Sequence, residues 1–102
     1  MGFGSMLTLG ELLTAKRKEI LRIATKYGAR NVRVFGSVAR GEADEASDID
    51  FLVEMESGRS LLDLGGLQAE LEQSLGRRVD VVTEKGLKVR IRGRVLSEAI
   101  SV

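Results

Sequence analysis

The stretch GSVARGEADEASDIDFLV, from Gly36 to Val53, decides how this chain is read. Its last part runs on as Asp48 to Met55 (DIDFLVEM) and alternates like a strand. Ile49, Phe51 and Val53 point into a core, while Asp48 and Asp50 project together from the opposite face, with Cβ atoms about 7 Å apart. Asp80 repeats the pattern between Val79 and Val81 in a further strand, Arg78 to Thr83 (RVDVVT). If these two strands are neighbours, the three acids form one cluster.

Like charges held so close resist joint ionisation unless a cation neutralises them, so such a cluster argues for bound metal at Asp48, Asp50 and Asp80. A divalent pair about 3.5 to 4 Å apart, bridged by Asp48 and Asp50, would clamp the phosphates of a nucleotide and activate an attacking hydroxyl. Asp80 would ligate the metal at the nucleophile and accept the hydroxyl proton. At the other end of the stretch, Gly36 and Ser37 lie between a strand and an expected short helix over Ser37 to Arg40. Backbone donors and a hydroxyl can there approach a triphosphate with no Cβ at Gly36 in the way. Arg40, one turn on, would add a bidentate contact to the same phosphates.

Composition agrees with this chemistry and excludes others. The chain has no histidine and no cysteine. Disulfides, thiol nucleophiles, imidazole bases and the usual zinc ligands are therefore absent, and carboxylates remain as the strong metal ligands, suited to magnesium or manganese. With 102 residues, 43% of them hydrophobic, one core is expected, hence one domain over residues 1–102. The balance of 16 basic against 15 acidic residues gives no global field for nucleic acid. No apolar run approaches the roughly 20 residues of a membrane span and no signal peptide is evident, so no membrane partner is expected and the cytoplasm is the expected location. Met1 to Met6 reads as a native leader or an added segment ahead of Met6, and stays outside the fold argument.

Outward from the central stretch, Thr8 and Glu11 form a capping box for a helix expected from Leu9 to Tyr27, with Gly28 as its left-handed terminator. Asn31 to Phe35 (NVRVF) is a strand whose inner face is Val32 and Val34. Ser60 and Asp63 cap a second helix, Leu61 to Leu75, in which Leu61, Leu62, Leu64 and Leu67 are read as core. Gly65 and Gly66 inside it cost roughly 1 kcal/mol each against alanine, so they mark a close packing contact or a late helix start. Leu87, Ile91 and Val95 support a last helix, followed by a short strand over Ala99 to Val102. The order gives an α/β sandwich with one small sheet.

The words GSVARGEA and SDIDFLV, with Gly36-Ser37 ten residues ahead of Asp48-x-Asp50, resemble the signature of the DNA polymerase β-like nucleotidyltransferase superfamily, and in particular its minimal nucleotidyltransferase branch. Asp80 in GRRVDVVT matches the third acid of that family, and GLKVRIRGRVLSEAI is similar to its closing helix and strand. The resemblance implies the polymerase β-like α/β fold, a small mixed β-sheet with helices packed on it, together with magnesium and transfer of an NMP group, often AMP from ATP. Larger members add helical domains that bind the acceptor, so here the acceptor is expected to dock from outside. Minimal members are often encoded beside a helical HEPN toxin and act as its antitoxin, in some cases by adding AMP to a toxin tyrosine.

Other readings were weighed. Asp44, Glu45, Asp48 and Asp50 do not place the glycine and closing glutamate of an EF-hand. Lys85, Lys88, Arg90, Arg92 and Arg94 read as a solvated helix face in preference to a nucleic-acid site, so nucleic acid is not an expected partner. Glu42 is equally readable as support for the site or as an exposed loop acid. The rival to a nucleotidyltransferase acting on a partner protein is a non-catalytic antitoxin, or nucleotide-binding module, that acts by occlusion; either a homo- or a hetero-oligomer fits.

Overall fold

A computed structural model describes residues 8–44 and 46–102; the Met1 to Met6 leader and Glu45 lie outside the described residues. Among the described residues the elements run α1 (Leu9–Ala15), α2 (Arg17–Lys26), β1 (Ala29–Phe35), β2 (Ile49–Met55), α3 (Leu61–Leu75), β3 (Val79–Thr83), a 3-10 turn (Glu84–Gly86), α4 (Val89–Glu98) and β4 (Ile100–Ser101). The four strands form one sheet in the order β3-β2-β1-β4. The β2–β3 pair is parallel and the other two are antiparallel, which makes the sheet mixed, as the sequence implied.

A parallel pair needs a crossover, and α3 supplies it. Leu67, Leu71 and Leu75 recur every four residues on α3 and bury one stripe against the sheet, where they meet Ile49, Phe51 and Val53 from β2 and Val79 and Val81 from β3. Leu9, Leu13, Ile20, Ile23 and Ala24 from α1 and α2 join the same core, with Val32 and Val34 of β1 as expected. On the sheet's other face α4 covers a smaller cluster built from Leu52, Leu87 and Val95, with Phe35, Val82, Ile91 and Ala99 around it. β2 is therefore covered on both faces, and its acids occupy the part of the second face that α4 leaves open. The outer edge of β3 is not left bare: Gln68 and Glu72 of α3 accept from the N–H groups of Val81 and Val79 at 3.1 and 3.0 Å, which blunts edge-to-edge pairing.

Both capping boxes form. Thr8 accepts from the Glu11 N–H at 3.0 Å while Glu11 accepts from the Thr8 N–H at 2.9 Å. Ser60 and Asp63 reciprocate in the same way at the start of α3.

Several local expectations are corrected. The single helix from Leu9 to Tyr27 is two, separated at Lys16 (φ −98°, ψ 8°). Just ahead of the break, the Thr14 hydroxyl donates back to the Gly10 carbonyl at 3.0 Å, a contact that bends helices. The short helix over Ser37 to Arg40 is a turn. Arg40 N–H reaches the Gly36 carbonyl at 3.1 Å, but Gly41 then takes a left-handed φ of 72° and Glu42 N–H turns back to the Ser37 carbonyl at 2.9 Å, so no second turn follows. Leu61 and Leu62 are 83% and 87% exposed and are not core, whereas Leu64 is half-buried and Leu67 buried. The final strand is confined to Ile100–Ser101.

The two glycines of α3 separate cleanly. A Cβ at Gly66 would lie 2.5 Å from Cε1 of Tyr27, whose hydroxyl is fixed by Glu70 at 2.6 Å, whereas a Cβ at Gly65 meets nothing within 4 Å. Gly66 is thus the packing contact and Gly65 carries only a propensity cost. Gly65→Ala is expected to stabilise the fold by about 0.5–1 kcal/mol, and Gly66→Ala to destabilise it by about 1 kcal/mol or more. Urea unfolding of both variants checks the pair, and equal shifts of the same sign would contradict the packing.

Candidate active site

The acids come together through strand register. Asp50 pairs directly with Asp80 across β2–β3, and with Phe35 across β1–β2. Adjacent strands lie about 4.8 Å apart, so the two acids are side-by-side neighbours on one face. Their chain neighbours Ile49, Phe51, Val79 and Val81 are all buried on the other. Asp48 lies one residue ahead of β2 rather than within it, a small correction, and is exposed beside Arg78 at 3.8 Å. The loop that delivers it is held by side chains. Asp44 accepts from the Ala46 N–H at 2.9 Å and from the Ser47 hydroxyl at 3.1 Å, and Arg77 donates to the Asp44 carbonyl at 3.0 Å.

Phe35 ends β1 opposite Asp50, so the next residue, Gly36, starts its turn directly beside that carboxylate. Gly36 has φ 76°, and a Cβ there would lie 2.4 Å from Asp50 Oδ2. Both the left-handed backbone and the close approach require glycine. Ser37 sits half-buried in the same turn. Arg40 closes it, donating through Nε to Glu42 at 2.9 Å and through Nη1 to Glu98 at 3.3 Å. Gly36 and Arg40 thus lie by Asp50 where β1 and β2 meet their connecting loop, with Asp80 next to Asp50 on β3. Because the turn is not a helix start, no helix dipole stands behind Gly36 and Arg40.

Glu42 pairs with Arg40 but is an exposed loop acid, 65% accessible, so both readings of it remain compatible with its place. Glu98 was missed. Its carboxylate accepts from the Gly36 N–H at 3.0 Å as well as from Arg40. The signal was present in the periodicity, since Glu98 follows Ile91 and Val95 on the face of α4 that packs on the sheet.

The expected cluster of three acids does not form: among the described residues no three carboxylates stand close enough to hold a metal ion, and while Asp50 pairs with Asp80, Asp48 stands apart beside Arg78. The donor chemistry nevertheless fits a hard cation, since the side chains offered are all oxygen donors. Burial pushes the Asp50 carboxyl above the usual carboxylate range, Asp80 and Asp48 push it further, Arg40 opposes the shift and Glu98 adds to it. Charge on Asp50 is therefore costly in the bare protein.

Comparison with known proteins gives the family. Residues 17–102 match the family described as nucleotidyltransferase domain. The chain belongs to that family. A Thermococcus cleftensis protein named protein adenylyltransferase MntA is 46% identical over 101 residues, spanning 96% of this chain and 99% of its own. A Methanocaldococcus jannaschii protein, named as a candidate protein adenylyltransferase, is 45% identical over 86 residues, spanning 84% of this chain and 92% of its own. Among solved structures, one of a candidate minimal nucleotidyltransferase superposes with a TM-score of 0.85 at 53% identity, covering 96% of this chain and 99% of that one. A toxin–antitoxin crystallised with AMP-PNP shares the fold, with a TM-score of 0.70 at 20% identity over 82% of this chain and 69% of that one. No helix among the described residues of this nucleotidyltransferase is long and apolar enough to cross a membrane.

Since the folded-state pKa of Asp50 is raised, the stability it withholds at neutral pH returns as pH falls through that value and the carboxyl protonates. Asp50→Asn, which removes the charge and keeps the shape, is expected to melt several degrees above the wild type at neutral pH in chelator. The gap should close as pH falls toward about 4. Thermal denaturation across that range checks it; a variant that melts lower at neutral pH, or a gap indifferent to pH, would contradict the electrostatics.

Proposed function

We propose that this chain is a cytoplasmic, single-domain, metal-dependent nucleotidyltransferase that moves AMP from ATP to a hydroxyl of a partner protein, and that it acts as antitoxin to a helical HEPN-type toxin. The observation that carries the reading is the in-register pairing of Asp50 with Asp80 beside the Gly36 turn. Acids and anion donors are thereby brought within one site, as transfer of a charged phosphoryl group requires. The names of the archaeal relatives support protein as acceptor and AMP as the group moved. The toxin partner rests on the resemblance to the minimal branch.

In this reading the Gly36 N–H, Ser37 and Arg40 bind the outer phosphates and fix the α-phosphorus in front of the acids. Asp48, Asp50 and Asp80 would hold magnesium or manganese, which when bound supplies positive charge to the phosphate oxygens and acidifies the attacking hydroxyl. The acceptor oxygen forms a bond to the α-phosphorus, the bond from that phosphorus to the bridging oxygen breaks, and pyrophosphate leaves. Asp80, exposed at the mouth of the site, takes the hydroxyl proton. Asp50, half-buried between Phe35 and Asp80, sets the position of the group being transferred.

With α-labelled ATP, magnesium and the helical protein encoded beside it, the wild type should label that protein, and Asp48→Ala or Asp80→Ala should reduce the rate about a hundredfold or more. Labelling that persists in Asp48→Ala would overturn the assignment. In a growth-rescue assay Asp50→Asn should fail to neutralise the toxin; rescue by that variant would instead favour occlusion.

A further inference from the structure

Glu98 has no part in the chemistry above, yet its carboxylate sits on the donors assigned to phosphate. One oxygen accepts from the Gly36 N–H at 3.0 Å, and Arg40 Nη1 reaches the two oxygens at 3.3 and 3.5 Å. A backbone amide at a glycine turn together with a guanidinium is the contact set that a phosphate oxygen takes. The side chain is only 19% exposed, and it comes from the last residue of α4, whose preceding turns are anchored on the sheet by Ile91 and Val95. The carboxylate is thus delivered to this spot by packing and is not a surface acid that has found a chance partner.

The geometry points to Glu98 as an internal competitor for the nucleotide: in the bare protein it fills the phosphate seat, and a triphosphate has to displace it from Gly36 and Arg40 before it can bind. One N–H cannot serve both acceptors, and two anions cannot share the seat beside Asp50 and Asp80. The contact therefore satisfies a partly buried amide and pairs the Arg40 guanidinium when no ligand is present, and it lowers the apparent affinity for the nucleotide by the fraction of molecules in which the seat is open. Arg40 changes partner on loading, from the Glu98 carboxylate to phosphate. This inference rests on reading the Gly36 turn as the phosphate seat, but it needs neither the acceptor nor turnover.

The test uses inorganic triphosphate, and in parallel ATP with magnesium, titrated into the full chain labelled with nitrogen-15, with the Gly36 amide resonance as readout. Glu98→Ala is expected to bind triphosphate about tenfold more tightly than the wild type, as it should if the seat is open in roughly a tenth of wild-type molecules. Glu98→Gln, which keeps an oxygen for the Gly36 N–H but loses the charge, should fall between the two and guards against a folding defect in the alanine variant. Affinities in both variants equal to or weaker than the wild type would overturn the inference, and if AMP transfer by the wild type persists, that failure leaves the proposed function standing. Tighter triphosphate binding in the variants with no AMP transfer by the wild type would support the competitor and count against the transferase instead.

Discussion

The parallel pairing of β2 with β3 fixes everything that this site can do. Because side chains alternate along a strand, a slip of one residue would turn Asp80 to the helical side and bring Val79 and Val81, now 4% and 6% exposed, onto the open face. Each valine contributes about 1.5–3 kcal/mol by being buried, so the core enforces the register that sets Asp80 beside Asp50. The crossover helix α3 does the same work from outside, since Leu67, Leu71 and Leu75 pack on the apolar face of those strands. A site of like charges is thus held together by a hydrophobic core that the charges themselves oppose.

Around that fixed pair the rest of the site is a balance of charge. Asp50 is half-buried among acids, and the cation nearest to relieving it within the chain is Arg40, which is itself held by Glu42 and Glu98. Gly36 completes the arrangement by leaving no Cβ between its turn and Asp50. In the proposed function metal and nucleotide would enter this balance as complementary charges, the first relieving the acids and the second relieving the guanidinium. Order at the site therefore depends on ligands more than order in the core does.

Much of this was legible in the sequence, because strands that carry acids on one face and valine or isoleucine on the other announce both their direction and their chemistry. Asp50 and Asp80 were found in that way, as was Gly36 from its place after a strand. What escaped notice depended on tertiary distance or on helix phase. Glu98 is 62 residues from Gly36 and belongs to the site only because α4 returns across the acid face. Leu62 was misread as core although it stands five residues before Leu67, about 140° round the helix from it, and Leu61 shares its exposure in the first turn. The expected helix after Gly36 failed for a local reason, the left-handed backbone at Gly41.

A crystal structure with magnesium and a non-hydrolysable ATP analogue would test the central claim most directly. The account predicts a phosphate oxygen on the Gly36 N–H, the Arg40 guanidinium turned to the same phosphates, and metal bound between Asp50 and Asp80. A triphosphate seated elsewhere, or a metal that touches neither Asp50 nor Asp80, would contradict it.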